Sequence, residues 1–212
     1  MFFRSFIITL ALVLSSSVSF AFEGRHEIDP TVSLDALRAK AGKPMISKRT
    51  VNGRIFVDSS AILTQVSVDK LLTKSLQFDQ YVQMGMPHLR ASRIVAESPA
   101  ENLIYVWSHM VLSAMGMPFS SKHFLRVHKL PTGSEWELTP KMSNWPAPED
   151  SALQRLDGSW FVRELGANEV YVRYWLAMES NVSPAIVDLV AGSQLQRGVG
   201  KVIEVLAREA AL

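Results

Sequence analysis

Residues 89–178 repeat one pattern: short runs rich in Val, Ile, Phe, Tyr and Trp, broken by loops of hairpin length. The runs are RASRIVAES, NLIYVWSHMVL, KHFLRVHKL, SEWELTP, GSWFVREL and EVYVRYWLAM. β-Branched and aromatic residues at alternating positions suit pleated strands. Pro131, Thr132 and Gly133, and later Gly166, Ala167 and Asn168, supply the turns between neighbours. The pattern predicts an antiparallel meander. Directly after it comes SPAIVDLVAGSQLQRGVGKVIEVLAREAAL, with Ser183 as N-cap and Pro184 at the first helical position. Val187, Val190, Leu195, Val199, Val202, Ile203 and Leu206 form one broad apolar stripe along this helix. The stripe needs the sheet to cover it, which gives an α+β class with helices on one face of a curved sheet. Gly192, Gly198 and Gly200 sit inside the helix, each costing about 1 kcal/mol relative to Ala. Close backbone approach to the sheet, or space beside a ligand, accounts for such glycines.

Upstream, Asn52 and Gly53 form a turn signal between ISKRTV and the first long strand, RIFVDSSAILTQV. Ser67 is the N-cap of VDKLLTKSLQFDQYVQMG, which Gly85 and Pro87 close. A shorter amphipathic piece, SLDALRAKAGKP, is capped by Ser33 and stopped by Gly42 and Pro44. The first 21 residues carry one cation, Arg4, an apolar run and a small-residue exit at Ser19, Phe20 and Ala21. That is the pattern of a secretory signal peptide. The expected division is a signal peptide at 1–21, an N-terminal arm at 22–50 and a folded domain at 51–212, with a secreted, periplasmic location. Hydrophobic residues make up 48% of the 212-residue chain, which suits one folded domain with a core of its own. There is no cysteine, so disulfides, lipoprotein anchoring and thiolate chemistry are excluded. The formal charge of +2 falls to +1 when Arg4 leaves with the leader, and no basic cluster with interleaved aromatics points to nucleic acid.

This order of elements, with particular residues, resembles the START (steroidogenic-acute-regulatory-related lipid transfer) family and its wider helix-grip superfamily. The residues that carry the likeness are the proline-bearing turn into GMPFSSKHFLRV, the pair GSWFVREL and EVYVRYWLAM, and the helix opened by Pro184. The resemblance covers residues 51–212. It implies a helix-grip fold: a curved antiparallel sheet of about six to seven strands gripping a long C-terminal helix, with two short helices after the first strand. It also implies a deep apolar cavity for one lipid, sterol or other hydrophobic molecule. Lys122 and His123 stand where the family often has Arg-Asp, so an ion pair made by that aspartate does not carry over.

The stretch GMPFSSKHF puts Ser120, Ser121, Lys122 and His123 together, but no nucleophile elbow or orienting acid accompanies them. Ser121 and His123 on one extended segment point to the same face, an arrangement that rarely brings imidazole to hydroxyl. The five histidines show neither i, i+4 spacing nor a His-Glu-x-x-His motif, so no metal site, catalytic residue or cofactor is assigned. His109 shares a strand face with Tyr105, Trp107 and Val111 and is a candidate polar handle for an apolar pocket. Arg126, His128 and Arg163 belong on the outer face or in pairs with Glu135, Glu137 or Glu164. Met115 and Met117, beside glycine and proline, fit a loop spanning residues 115–121 at a cavity mouth. Val170, Val172, Tyr174 and Leu176 turn inward and Arg173 outward.

The candidate cavity-lining residues are Trp107, His109, Met115, Met117, Phe119, Trp136, Tyr174, Leu195 and Val199. The expected partner is a hydrophobic ligand, lipid or sterol-like, with transient membrane contact, no nucleic acid and no protein partner assigned. Two other readings stay open: a small hydrolase or cyclase using His109 or Tyr174, and an envelope interaction module whose arm, residues 22–48, docks on another protein.

Overall fold

The computed structural model describes residues 25–114, 117–139, 153–166, 168–180 and 193–211, with the side chains of 113, 114, 117 and 118 set aside. Eight strands form one sheet: β1 (Met45–Val51), β2 (Arg54–Thr64), β3 (Leu89–Ser98), β4 (Leu103–Ala114), β5 (Met117–Leu130), β6 (Gly133–Thr139), β7 (Leu153–Gly166) and β8 (Glu169–Ser180). Their spatial order is β1-β2-β8-β7-β6-β5-β4-β3, and every neighbouring pair is antiparallel. The sheet has eight strands rather than six to seven because β1 pairs with β2 along its whole length. A domain boundary at 51 therefore falls at the end of a paired strand. Asn52 and Gly53 join the two strands with φ of 50° and 80°, the left-handed pair that a two-residue hairpin needs.

The remaining elements follow local chemistry. Ser33 accepts a hydrogen bond from the Ala36 amide at the start of α1 (Leu34–Ala39), and Ser67 accepts from Lys70 at the start of α2 (Val68–Ser75). The periodic run after Ser67 does not stay one helix. It breaks at Leu76 and Gln77, continues as a 3₁₀ turn at Phe78–Gln80, and ends as α3 (Tyr81–Met84) with Gly85 left-handed behind it. The long helix, α4, is described over Ser193–Glu209; its expected start at Ser183 and Pro184 lies outside the described residues. Among the described residues no helix is long and apolar enough to cross a membrane.

Helix α4 buries Leu195, Val199, Ile203 and Leu206 against the inner face of the sheet, chiefly on β1, β2 and β8, with α2 beside it. Two of its glycines are explained by contact. A Cβ at Gly198 would fall 2.6 Å from His88 Nε2, and one at Gly200 would fall 2.6 Å from Ile46 Cδ1. His88 Nε2 lies 3.2 Å from the Gln194 carbonyl near the start of the described part of the helix. Arg208 donates to the Met84 carbonyl near its end, and Lys70 to the carbonyl of Ala211 beyond it. The described part of the helix is held near both of its limits.

The outer face is also partly covered. Leu37 of α1 packs with Ile62, Phe161 and Tyr171 in a second, smaller cluster, joined by Ile28, Val32, Leu34 and Met45. Arg173 points outward, as alternation along β8 requires, but the arm covers it. Its side chain is 9% exposed and binds both carboxylate oxygens of Asp58, with Nε 3.0 Å from Oδ1, while Asp29 lies 3.8 Å away. Burial opposes this charge, but the bonds to Asp58 outweigh it and hold the guanidinium above its ordinary pKa. Arg25 stacks on Trp175, 3.3 Å from the ring centroid. Removing one member of the buried pair leaves the other uncompensated. Arg173→Met should destabilise the fold by about 3–5 kcal/mol in guanidinium unfolding, and adding Asp58→Leu should recover part of that loss.

Candidate functional site

The site is the inner face of the sheet where α4 does not lie. Register decides which side chains reach it. Across β4 and β5, Ser108 pairs with His123, Met110 with Ser121, Trp107 with Phe124 and His109 with Lys122. Ile104, Val106 and Leu112 on β4, and Leu125 and Val127 on β5, belong to the main core, so even positions of β4 and odd positions of β5 face inward. Trp107 and His109 therefore lie on the outer face, where His109 Nε2 is 3.0 Å from Ser120 Oγ. Their assignment to the cavity is corrected. Alternation marks two faces on β4, and the aliphatic one is buried rather than the aromatic one.

Met115 lies outside the described residues, and the side chain of Met117 does too. Residues 117–121 are not a loop, because β5 starts at Met117, which pairs with Ala114. Phe119, Trp136, Tyr174, Leu195 and Val199 do belong to the inner core or pack against it. Arg126 pairs with Glu137 on the outer face, as its alternation with Leu125 and Val127 requires.

At the centre is an aromatic group. The Tyr174 ring lies 4.6 Å from that of Trp160 and 5.5 Å from that of Trp136, centroid to centroid. Trp136 rests directly on Gly158, where a Cβ would come within 2.2 Å of the indole. Tyr81 donates its hydroxyl to the Ser75 carbonyl and has the Trp160 indole as a hydrogen-bond partner. Tyr174 differs. Among the described residues nothing hydrogen-bonds its hydroxyl, which burial alone pushes above the usual phenol range. The side chain nevertheless keeps accessible surface while packing against the core. The ring is deep without being sealed, and its hydroxyl can both donate and accept a hydrogen bond.

A second set of polar groups lines the other half of the inner face. Ser92, Ser108 and His123 are successive partners across β3, β4 and β5. Ser121 lies one inward position further along β5, and its Oγ is 3.1 Å from His123 Nδ1. The geometry thus brings hydroxyl to imidazole on adjacent same-face positions, contrary to the expectation from an extended segment. Burial depresses the His123 pKa to about 4, with Ser121 opposing the shift and His109 adding to it. The ring is neutral at pH 7. Its bond to Ser121 uses Nδ1, which leaves Nε2 as its second hydrogen-bonding atom. Around these groups Leu89, Ile94, Met110, Phe119 and Leu138 are only half-buried. Ser92 and Ser108 escaped the sequence reading because a lone serine on a strand says nothing until its cross-strand neighbours are known.

Ser121 and His123 have no carboxylate on the imidazole among the described residues to orient it. No group of three or more His, Asp or Glu suited to a metal occurs among the described residues. Surface recesses of about 320 Å³ beside Asp29, Met45 and Asp58, and of about 410 Å³ beside His26, Leu72 and Phe161, are lined by neither Tyr174 nor His123.

No protein-family model matches this sequence, and no curated protein resembles it in sequence. Solved structures do resemble the fold. A STAR-related lipid transfer protein from Xanthomonas axonopodis matches at 13% identity with a TM-score of 0.53, over 78% of this chain and 99% of that one. The Zhui aromatase/cyclase from Streptomyces sp. R1128 matches at 12% identity with a TM-score of 0.57, over 74% and 93%. Human STARD10 matches at 10% identity with a TM-score of 0.55, over 89% and 83%. The chain has the START-type helix-grip fold, and at these identities the likeness speaks for the fold alone.

Two outcomes are expected. Gly158→Ala should unseat Trp136, shift the tryptophan fluorescence and cost about 1–3 kcal/mol of stability in a urea titration. His123 also links stability to pH: its pKa falls on folding from 6.5 to about 4. Between those values the unfolded chain takes up a proton that the native ring refuses. Stability should therefore fall as pH drops from about 6.5 toward 4, and His123→Gln should flatten that fall in pH-dependent melting curves.

Proposed function

We propose that this protein binds a hydrophobic small molecule, lipid or sterol-like, on the inner face of its sheet beside α4, for carriage or sensing outside the cytoplasm. Residues 1–21 act as the export leader in this reading. Tyr174 carries it: a deep aromatic ring between Trp136 and Trp160, with accessible surface and a hydroxyl that no described group satisfies. Such a wall suits a ligand that covers apolar surface, at about 25 cal/mol per Å² removed from water, and offers one hydrogen-bonding group. The START-type fold supports the same reading. A cyclase resemblance exists at the level of fold, but His109, one of the two groups considered for acid–base chemistry, faces outward.

The test is native mass spectrometry of the protein expressed with its leader and purified from the cell envelope. A co-purifying lipid mass, with uptake of fluorescent lipid or sterol by the stripped protein, is expected. Tyr174→Phe should weaken that uptake about fivefold, the net worth of one hydrogen bond of about 1 kcal/mol. A homogeneous unliganded mass with no uptake contradicts the reading.

A further inference from the structure

We propose that the ligand is an uncharged amphiphile whose hydroxyl, carbonyl or amide group hydrogen-bonds the row formed by Ser92, Ser108 and His123, and that carboxylates, phosphates and ammonium groups are rejected. This rests on the reading that a hydrophobic molecule occupies the inner face.

The row places three hydrogen-bonding side chains on consecutive strands, about 4.8 Å apart from strand to strand, facing one side of the sheet. Ser108 and His123 are 3% and 4% exposed, so water does not serve them freely. Among the described residues the buried hydroxyl oxygen of Ser92 has no hydrogen-bond partner, a condition that folded proteins rarely leave unanswered. Ser121 holds one nitrogen of the imidazole, so the other is aimed by that bond.

Charge decides the class of head group. Lys122 faces outward, opposite His109, and adds no cation to this wall. Lys129, on the inward set of β5 at its far end, is already paired with Glu97 at 3.2 Å. An ionised head brought to the row would lose its hydration and meet, among the described residues of the row itself, hydroxyls and an imidazole. That loss far exceeds the loss for a hydroxyl or carbonyl, which the row satisfies. At neutral pH the imidazole is uncharged, so it can donate to a carbonyl or accept from a hydroxyl.

Four probes of matched chain length separate the outcomes: oleyl alcohol, oleate at pH 8, oleylamine at pH 7 and 1-octadecene, each titrated into the full mature chain and followed by tryptophan fluorescence. Oleyl alcohol should bind at least about tenfold more tightly than oleate or oleylamine. Ser108→Ala combined with His123→Leu should weaken oleyl alcohol about tenfold and leave 1-octadecene unchanged. Should that double variant fail to fold, Ser92→Ala serves instead. Its hydroxyl has no partner to lose among the described residues, and a loss of about fivefold for oleyl alcohol alone is expected. Oleate or oleylamine binding as tightly as the alcohol, or an alcohol affinity indifferent to these substitutions, overturns the inference while leaving hydrophobic binding intact. No binding of any probe removes the proposed function and this inference together.

Discussion

One helix cannot cover this sheet. The seventeen described residues of α4 make a rod about 25 Å long, and its breadth of about 10 Å limits how many strands it can cover. Eight strands at about 4.8 Å spacing span about 34 Å along the curve of the sheet. The helix settles on β1, β2 and β8, where Gly198 and Gly200 let it come close to His88 and Ile46. Beyond it the inner face must be covered by something else. Short α2, the 3₁₀ turn and α3 take part of that role, with Phe78, Tyr81 and Met84 in the core. Tyr174, Met110, Phe119 and Leu138 remain half-buried, and this partly open wall is the physical basis of the functional reading.

The two faces are stabilised by different means. The inner one relies on aliphatic and aromatic packing, with neutral polar groups at its middle and the Lys129–Glu97 pair at its far end. The outer one takes the charges, among them Arg173 with Asp58, Arg54 with Asp157 and Arg126 with Glu137. The arm, through α1 and Arg25, shields part of that outer layer and the small cluster around Tyr171. This separation keeps strong fields away from the middle of the inner face, as the proposed binding of an apolar ligand requires.

Much of the fold was legible because it is written in period and punctuation. Alternation placed Val170, Val172, Tyr174 and Leu176 inward and Arg173 outward; Ser33, Ser67 and the Asn52-Gly53 pair marked real caps and a real turn. The site was legible only in part. Trp107 and His109 share a face with each other, but nothing local says whether that face is inside, since both faces of β4 are largely apolar. The polar row was invisible for a related reason: Ser92, Ser108 and His123 are neighbours only through the pairing of three strands. The closeness of Ser121 to His123 likewise depends on how the two side chains are turned, which spacing alone does not fix.

The central claim is that ligand meets the inner face. The most direct measurement is a set of intermolecular NOEs between protonated lipid and a sample whose tyrosine, tryptophan and methionine side chains alone carry protons. Cross-peaks from lipid to Tyr174, Trp136 and Met110 are predicted, with none to Trp107 or Tyr105 on the outer face. Cross-peaks to Trp107 and Tyr105, with Tyr174 silent, would contradict the account.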